Sequence, residues 1–152
     1  MLMLTGLLVG SLDISAAFIS YFISTGKGPG NVLLYIASGV FGKDAFSGGT
    51  GMMLWGLFFH YIIAFSFTFF YFWLFPKVKF IGNYPVWSAI FYGIFMWLVT
   101  TQVVVRLSNT PPPGPLKILN ALKAIAILIV MISLPLTLII GKYYRKTTAT
   151  DL

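Results

Sequence analysis

The chain has no cysteine, one histidine, His60, and three acidic residues, Asp13, Asp44 and Asp151. Without cysteine there is no disulfide framework and no thiol chemistry. So small a stock of His and acids cannot assemble a metal site, and haem would need a second axial ligand from a partner subunit. The Lys and Arg residues give a net charge of +7 but form no long basic stretch, so nucleic acid is not the partner they imply. They lie at the edges of apolar segments, where anionic lipid headgroups are the better counterpart. With 59% hydrophobic and 9% charged residues, and a mean hydropathy of +0.93, a soluble domain of this length could not cover its own surface. The composition is that of an integral membrane protein.

Crossing the hydrocarbon takes about 20 apolar residues in a helix. Four stretches qualify: Leu4–Ser24, Met52–Phe75, Val86–Val105 and Ile118–Ile140. The expected fold is an all-α membrane protein, one domain over residues 1–152 with four transmembrane helices. Met1–Gly10 lacks a basic region and no small-residue cleavage site follows the first run, so it reads as a retained helix rather than a signal peptide. Between the first two spans, glycines flank the apolar run Asn31–Val40. At about ten residues this run is too short to span, which predicts a short interfacial or re-entrant helix. Gly39–Asp44 superficially resembles a phosphate loop but lacks its glycine spacing and the Ser/Thr after Lys43, which excludes nucleotide binding there.

The other connections are spacers. Phe75 to Val86 contains Pro76, Asn83 and Pro85, a short turn that favours antiparallel packing of the second and third spans. Asn109 to Pro115 is a proline-rich break that cannot continue a helix. Four spans place both termini on one side. Lys77, Lys79, Lys142, Arg145 and Lys146 share that side, and Lys27, Lys43, Arg106, Lys117 and Lys123 face them. Lys43 lies deep in a long loop, and the positive-inside rule weights charges near helix ends, so both termini are expected to be cytoplasmic.

Two ionisable residues interrupt the apolar runs. A charge at the bilayer centre costs about 2.5–3.5 kcal/mol on insertion scales, so such a residue faces protein or water. In the first span Asp13 lies on a stripe with Gly6, Gly10, Ala17, Ser20 and Ser24; in the second, His60 lies on a stripe with Gly56, Ala64 and Thr68. Small residues let helices approach closely where lipid supplies no hydrophobic drive, so Gly6, Gly10, Gly56 and Ala64 are expected to join the first two spans. Gly93 marks a weaker stripe with Ala89, Trp97 and Thr100 in the third span, and Pro135 predicts a kink in the fourth. At 1.5 Å per residue, Asp13 lies about 17 Å and His60 about 12 Å below the ends of their helices at the first loop. The offset, about one turn, is bridgeable by two side chains or a water. The functional reading of the pair is a proton-responsive site. The structural reading is that each merely satisfies a local hydrogen bond and fixes helix register.

Several segments resemble one family. Gly10–Ile14, Ile36–Gly39 with Ala45-Phe46 and Gly48-Gly49, and Gly56–His60 with Ile63–Phe65 are similar to small four-helix bacterial membrane proteins akin to the YagU-like inner-membrane proteins. Tyr92-Gly93, Val103–Ser108 and Leu134–Leu136 extend the likeness along the chain. The resemblance implies a bacterial inner-membrane location and a four-helix fold, and brings no activity with it. Its pattern places a His about seven residues before Pro135, where this chain has Leu128.

Two function classes follow. One is proton-linked transport of a small solute, or hydrophobic ligand binding, through the polar intramembrane site. The other is an accessory role, stabilising a larger complex or the surrounding lipid. No nucleophile, base and orienter set is visible, so an enzyme is not expected. The implied partners are membrane lipids and a second copy of the chain or a larger membrane complex.

Overall fold

The structure, a computed structural model, describes residues 1–111 and 117–150. Lipid offers the backbone no hydrogen-bond partner, so apolar runs of this length satisfy their N–H and C=O groups internally as helix. Every regular element among the described residues is helical. Among the described residues, four helical stretches are long and apolar enough to cross a membrane: Leu2–Thr25, Gly49–Lys77, Pro85–Leu107 and Ile118–Arg145. They coincide with the four apolar runs.

Helix α1 (Leu2–Thr25) ends at Gly26, whose φ of 68° is left-handed and lets its N–H cap the Phe22 carbonyl at 2.8 Å. Helix α2 (Gly30–Phe41) and a 3₁₀ turn over Gly42–Ser47 lead into α3 (Gly49–Leu74), the second span. A 3₁₀ turn at Phe75–Lys77 and the short α4 (Lys79–Asn83) connect it to α5 (Pro85–Leu98), which Pro85 opens at a position needing no N–H. The third span continues through a π-helical stretch, Val99–Val104, into α6 (Val105–Leu107). The fourth comprises α7 (Ile118–Leu128), a π-helical stretch at Ile129–Ser133 and α8 (Leu134–Thr150). That second π stretch immediately precedes Pro135. Because proline lacks the N–H that would bond the residue 131 carbonyl, the wider turn is how the span accommodates it.

The first span packs against the second and the fourth, and the fourth also packs against the third. The short connection through α4 leads to the expectation that the second and third spans are close neighbours. Instead their backbones stand apart and bulky rings bridge them: Tyr71 to Tyr92 at 4.6 Å and Phe70 to Phe95 at 5.7 Å between centroids. A ring-lined contact cannot close as a glycine-lined one does. The short helix α2 lies on the first turns of α3, with Phe41 against Trp55 and Phe59. Its last carbonyls are held from the end of the third span, where the Asn109 N–H donates to Gly39 at 2.9 Å and its side-chain amide to Val40 at 3.0 Å. Helix α2 thus bridges α3 and the third span at one mouth of the bundle. Of the proline-rich break, residues 112–116 lie outside the described residues.

Candidate functional site

The contact between α1 and α3 begins with glycine. The Phe65 ring occupies the space a side chain on Gly6 would fill, and a Cβ on Gly10 would come within 3.1 Å of Ala64 Cβ and of the Tyr61 ring. One turn back along α3 from Ala64, the same approach brings His60 to the backbone of α1: its Nε2–H donates to the Gly10 carbonyl at 2.8 Å. Gly10 therefore has two roles, admitting α3 and leaving its carbonyl open to the imidazole. Ser11 Oγ and Tyr61 OH, 2.8 Å apart, add a second polar link across the same contact. Ala64 and His60 are both buried there.

Asp13 sits one turn beyond Gly10 on the same stripe. Its carboxylate lies close enough to His60 for the two to interact electrostatically, yet they form no ion pair within 4 Å. Among the described residues the one buried side-chain polar atom lacking a hydrogen bond is Ser88 Oγ. The Asp13 carboxylate and His60 Nδ1 accept no hydrogen bond from a described residue either, so both open onto space not filled by protein.

The other small residues have different partners. A Cβ on Gly56 would fall on the Leu33 carbonyl, so Gly56 seats α2 rather than α1. The helical repeat placed Gly56 on the His60 stripe correctly, but a stripe does not say which helix covers each of its turns. On Gly93 the side chain of Ile129 takes the space of a Cβ, with the Ile129 backbone 3.2 Å away, which joins the third span to the π stretch of the fourth.

Sequence reasoning passed over two features. A buried polar chain links three spans: Tyr71 OH donates to Thr137 Oγ1 (2.7 Å), Thr137 Oγ1 donates to the Ser133 carbonyl (2.7 Å), and Ser133 Oγ donates to the Ala89 carbonyl (2.7 Å). Its signal was the Ser133/Thr137 pair, spaced by four in an otherwise apolar run. The second is a groove of about 420 Å³ between the second and third spans, lined by Ile63, Ser66, Phe67, Phe70, Phe95, Val99 and Val104. The Ser66 hydroxyl spends its proton on the Ile62 carbonyl at 2.8 Å, so the walls present an almost wholly apolar surface. Bridging rings close the groove on one side, and the π stretch forms part of its wall. No three His, Cys, Asp or Glu residues cluster among the described residues. No family model, curated protein or solved structure matches the chain.

Proposed function

We propose that this multi-pass membrane protein binds an apolar, membrane-borne ligand in the groove between its second and third spans, without catalysing a reaction on it. One observation carries the reading: an apolar groove of about 420 Å³ midway along two membrane spans, with Phe and Val walls. Pockets that bind small molecules are concave and mostly apolar. The family resemblance supports the bacterial inner membrane, and Lys77, Lys79, Lys142 and Arg145 support cytoplasmic termini. An accessory role in a homodimer or larger complex is less well supported, because Gly6, Gly10, Gly56 and Gly93 are all used within the bundle.

The test uses a phosphatidylcholine with a photoreactive acyl chain in nanodiscs. Adducts should concentrate at Ile63, Phe67, Phe95 and Val99, and Val99→Trp, which fills the groove, should abolish them. Adducts spread evenly over outward residues such as Leu8 and Phe22 would overturn the reading.

A second reading, proton-linked transport of a small solute, is favoured by Asp13 and His60, two ionisable groups inside adjacent spans, with no hydrogen bond from a described residue on the Asp13 carboxylate or on His60 Nδ1. The chain has a single His, so its imidazole resonance can be titrated directly. Coupling requires that Asp13→Asn move the midpoint of that titration. An unmoved midpoint leaves the two as independent structural groups.

A further inference from the structure

The groove is continued by a stripe on one face of the second span, along α3 and the 3₁₀ turn that follows it. Ser66, Phe70, Trp73 and Lys77 recur at spacings of four, three and four, so they stack along the helix from the groove to the mouth of the bundle at the chain termini. The Phe70 and Trp73 rings lie 6.0 Å apart and stacked, Phe70 stacks in turn on Phe95, and Lys77 Nζ sits 3.2 Å above the Trp73 ring. Trp73 and Lys77 are exposed. No carboxylate among the described residues pairs with Lys77, so its charge is balanced only by the face of an indole.

Distance along this stripe is informative. Eleven residues separate Ser66 from Lys77, a rise of about 16 Å. Half the hydrocarbon core is about 15 Å. The groove therefore lies near the midplane when Lys77 is at headgroup depth, and Trp73 falls in the interfacial zone where tryptophan belts form. Lys79, two residues on and also exposed, adds a second cation at the same level.

Resting on the groove as a ligand site, we infer that its occupant is an anionic glycerophospholipid from the leaflet on the side of the termini. Its phosphate pairs with Lys77, and one acyl chain runs over Trp73 and Phe70 into the space between Phe67, Phe95 and Val99. The charge selects the headgroup, the ring ladder provides a track of hydrocarbon length, and the groove receives the end of the chain. An uncharged apolar molecule would use the groove but not Lys77, and a free phosphate would use Lys77 but not the groove.

The experiment measures binding of phosphatidylglycerol and of phosphatidylcholine with identical chains to the full-length, delipidated protein by native mass spectrometry. Phosphatidylglycerol should bind about fivefold more tightly, the worth of one Lys at an anionic membrane surface. Lys77→Gln, at an exposed position, should erase that preference, weakening phosphatidylglycerol more than phosphatidylcholine, which shares the phosphate but is neutral overall. Lys77→Arg should keep the preference, and so should Lys27→Gln at the opposite mouth. Val99→Trp should weaken both lipids. Equal binding of the two lipids by the native chain, or a preference that survives Lys77→Gln, overturns the inference and leaves the groove reading standing. Binding of both lipids that is indifferent to Val99→Trp overturns the groove reading itself. Inorganic phosphate competing with phosphatidylglycerol as well as a short-chain anionic lipid does would reduce the site to a phosphate contact, and also overturns the inference.

Discussion

Two serines of the third and fourth spans show how burial and satisfaction separate. Ser133 Oγ donates to the Ala89 carbonyl and ties the spans together, whereas Ser88 Oγ, equally enclosed, has no partner. Hydrogen bonds between membrane helices contribute about 0.6 kcal/mol on average and up to about 1.7. An unsatisfied buried hydroxyl instead costs about 1–3 kcal/mol. Ser133→Ala should therefore lower the thermal midpoint in detergent, and Ser88→Ala should leave it unchanged or raise it; equal losses from both would show that the serines contribute only packing volume. Gly10 gives a sharper contrast, since any side chain there meets Ala64 and Tyr61 and also removes the approach that lets His60 reach the backbone. Gly10→Leu should destabilise by about 1–3 kcal/mol, the usual cost of overpacking. Leu8→Phe, at a position 48% exposed, should fall within about 0.5 kcal/mol of the native chain.

At the scale of elements, α2 is the piece whose position depends on contacts distant in sequence. It rests on Gly56 through the Leu33 backbone, and its last two free carbonyls are capped from Asn109, beyond the third span. Asn109→Ala removes one of these bonds, worth about 1 kcal/mol net, so amide exchange over the last turn of α2 should quicken about fivefold with α1 and α5 unaffected. Exchange that stays at the native rate would mean that contact with α3 alone fixes α2. This dependence also marks where sequence reading ends. Span positions were legible because hydrocarbon thickness imposes a run length, and the inward faces of α1 and α3 were legible because glycine, alanine and a single polar residue recur with helical period. The partner of Gly56 was not, because a repeat identifies a face and not the element lying on it. Nor was the groove, which arises where the rings of Phe70, Tyr71, Tyr92 and Phe95 prop two spans apart, a consequence of tertiary packing with no periodic trace.

For the whole molecule, the distribution of charge and the number of crossings make one prediction together. Four membrane-length helices return the chain to the side from which it started, so Lys77 and Lys79 after the second span share a face with Lys142 and Arg145 near the end of the fourth. That face carries Trp73 and Lys77, the groove's polar end, while the opposite face is bridged by α2 and Asn109. Both faces carry cations, and the asymmetry across the bilayer is that α2 spans one mouth while the Trp73–Lys77 pair lies at the other. A chain with no native cysteine allows this to be read directly, with single cysteines at Leu2, Val78 and Thr148 for one face and at Lys27 and Asn109 for the other. In inverted vesicles, whose cytoplasmic surface faces outward, an impermeant thiol reagent should label the first three and spare the last two. Labels at Leu2 and Thr148 that partition to opposite faces would break the four-crossing arrangement. Labels that keep the two groups but in reversed orientation would preserve the fold and move the lipid site to the outer leaflet, where the same Lys77 ladder would have to draw its anionic partner from the other side of the membrane.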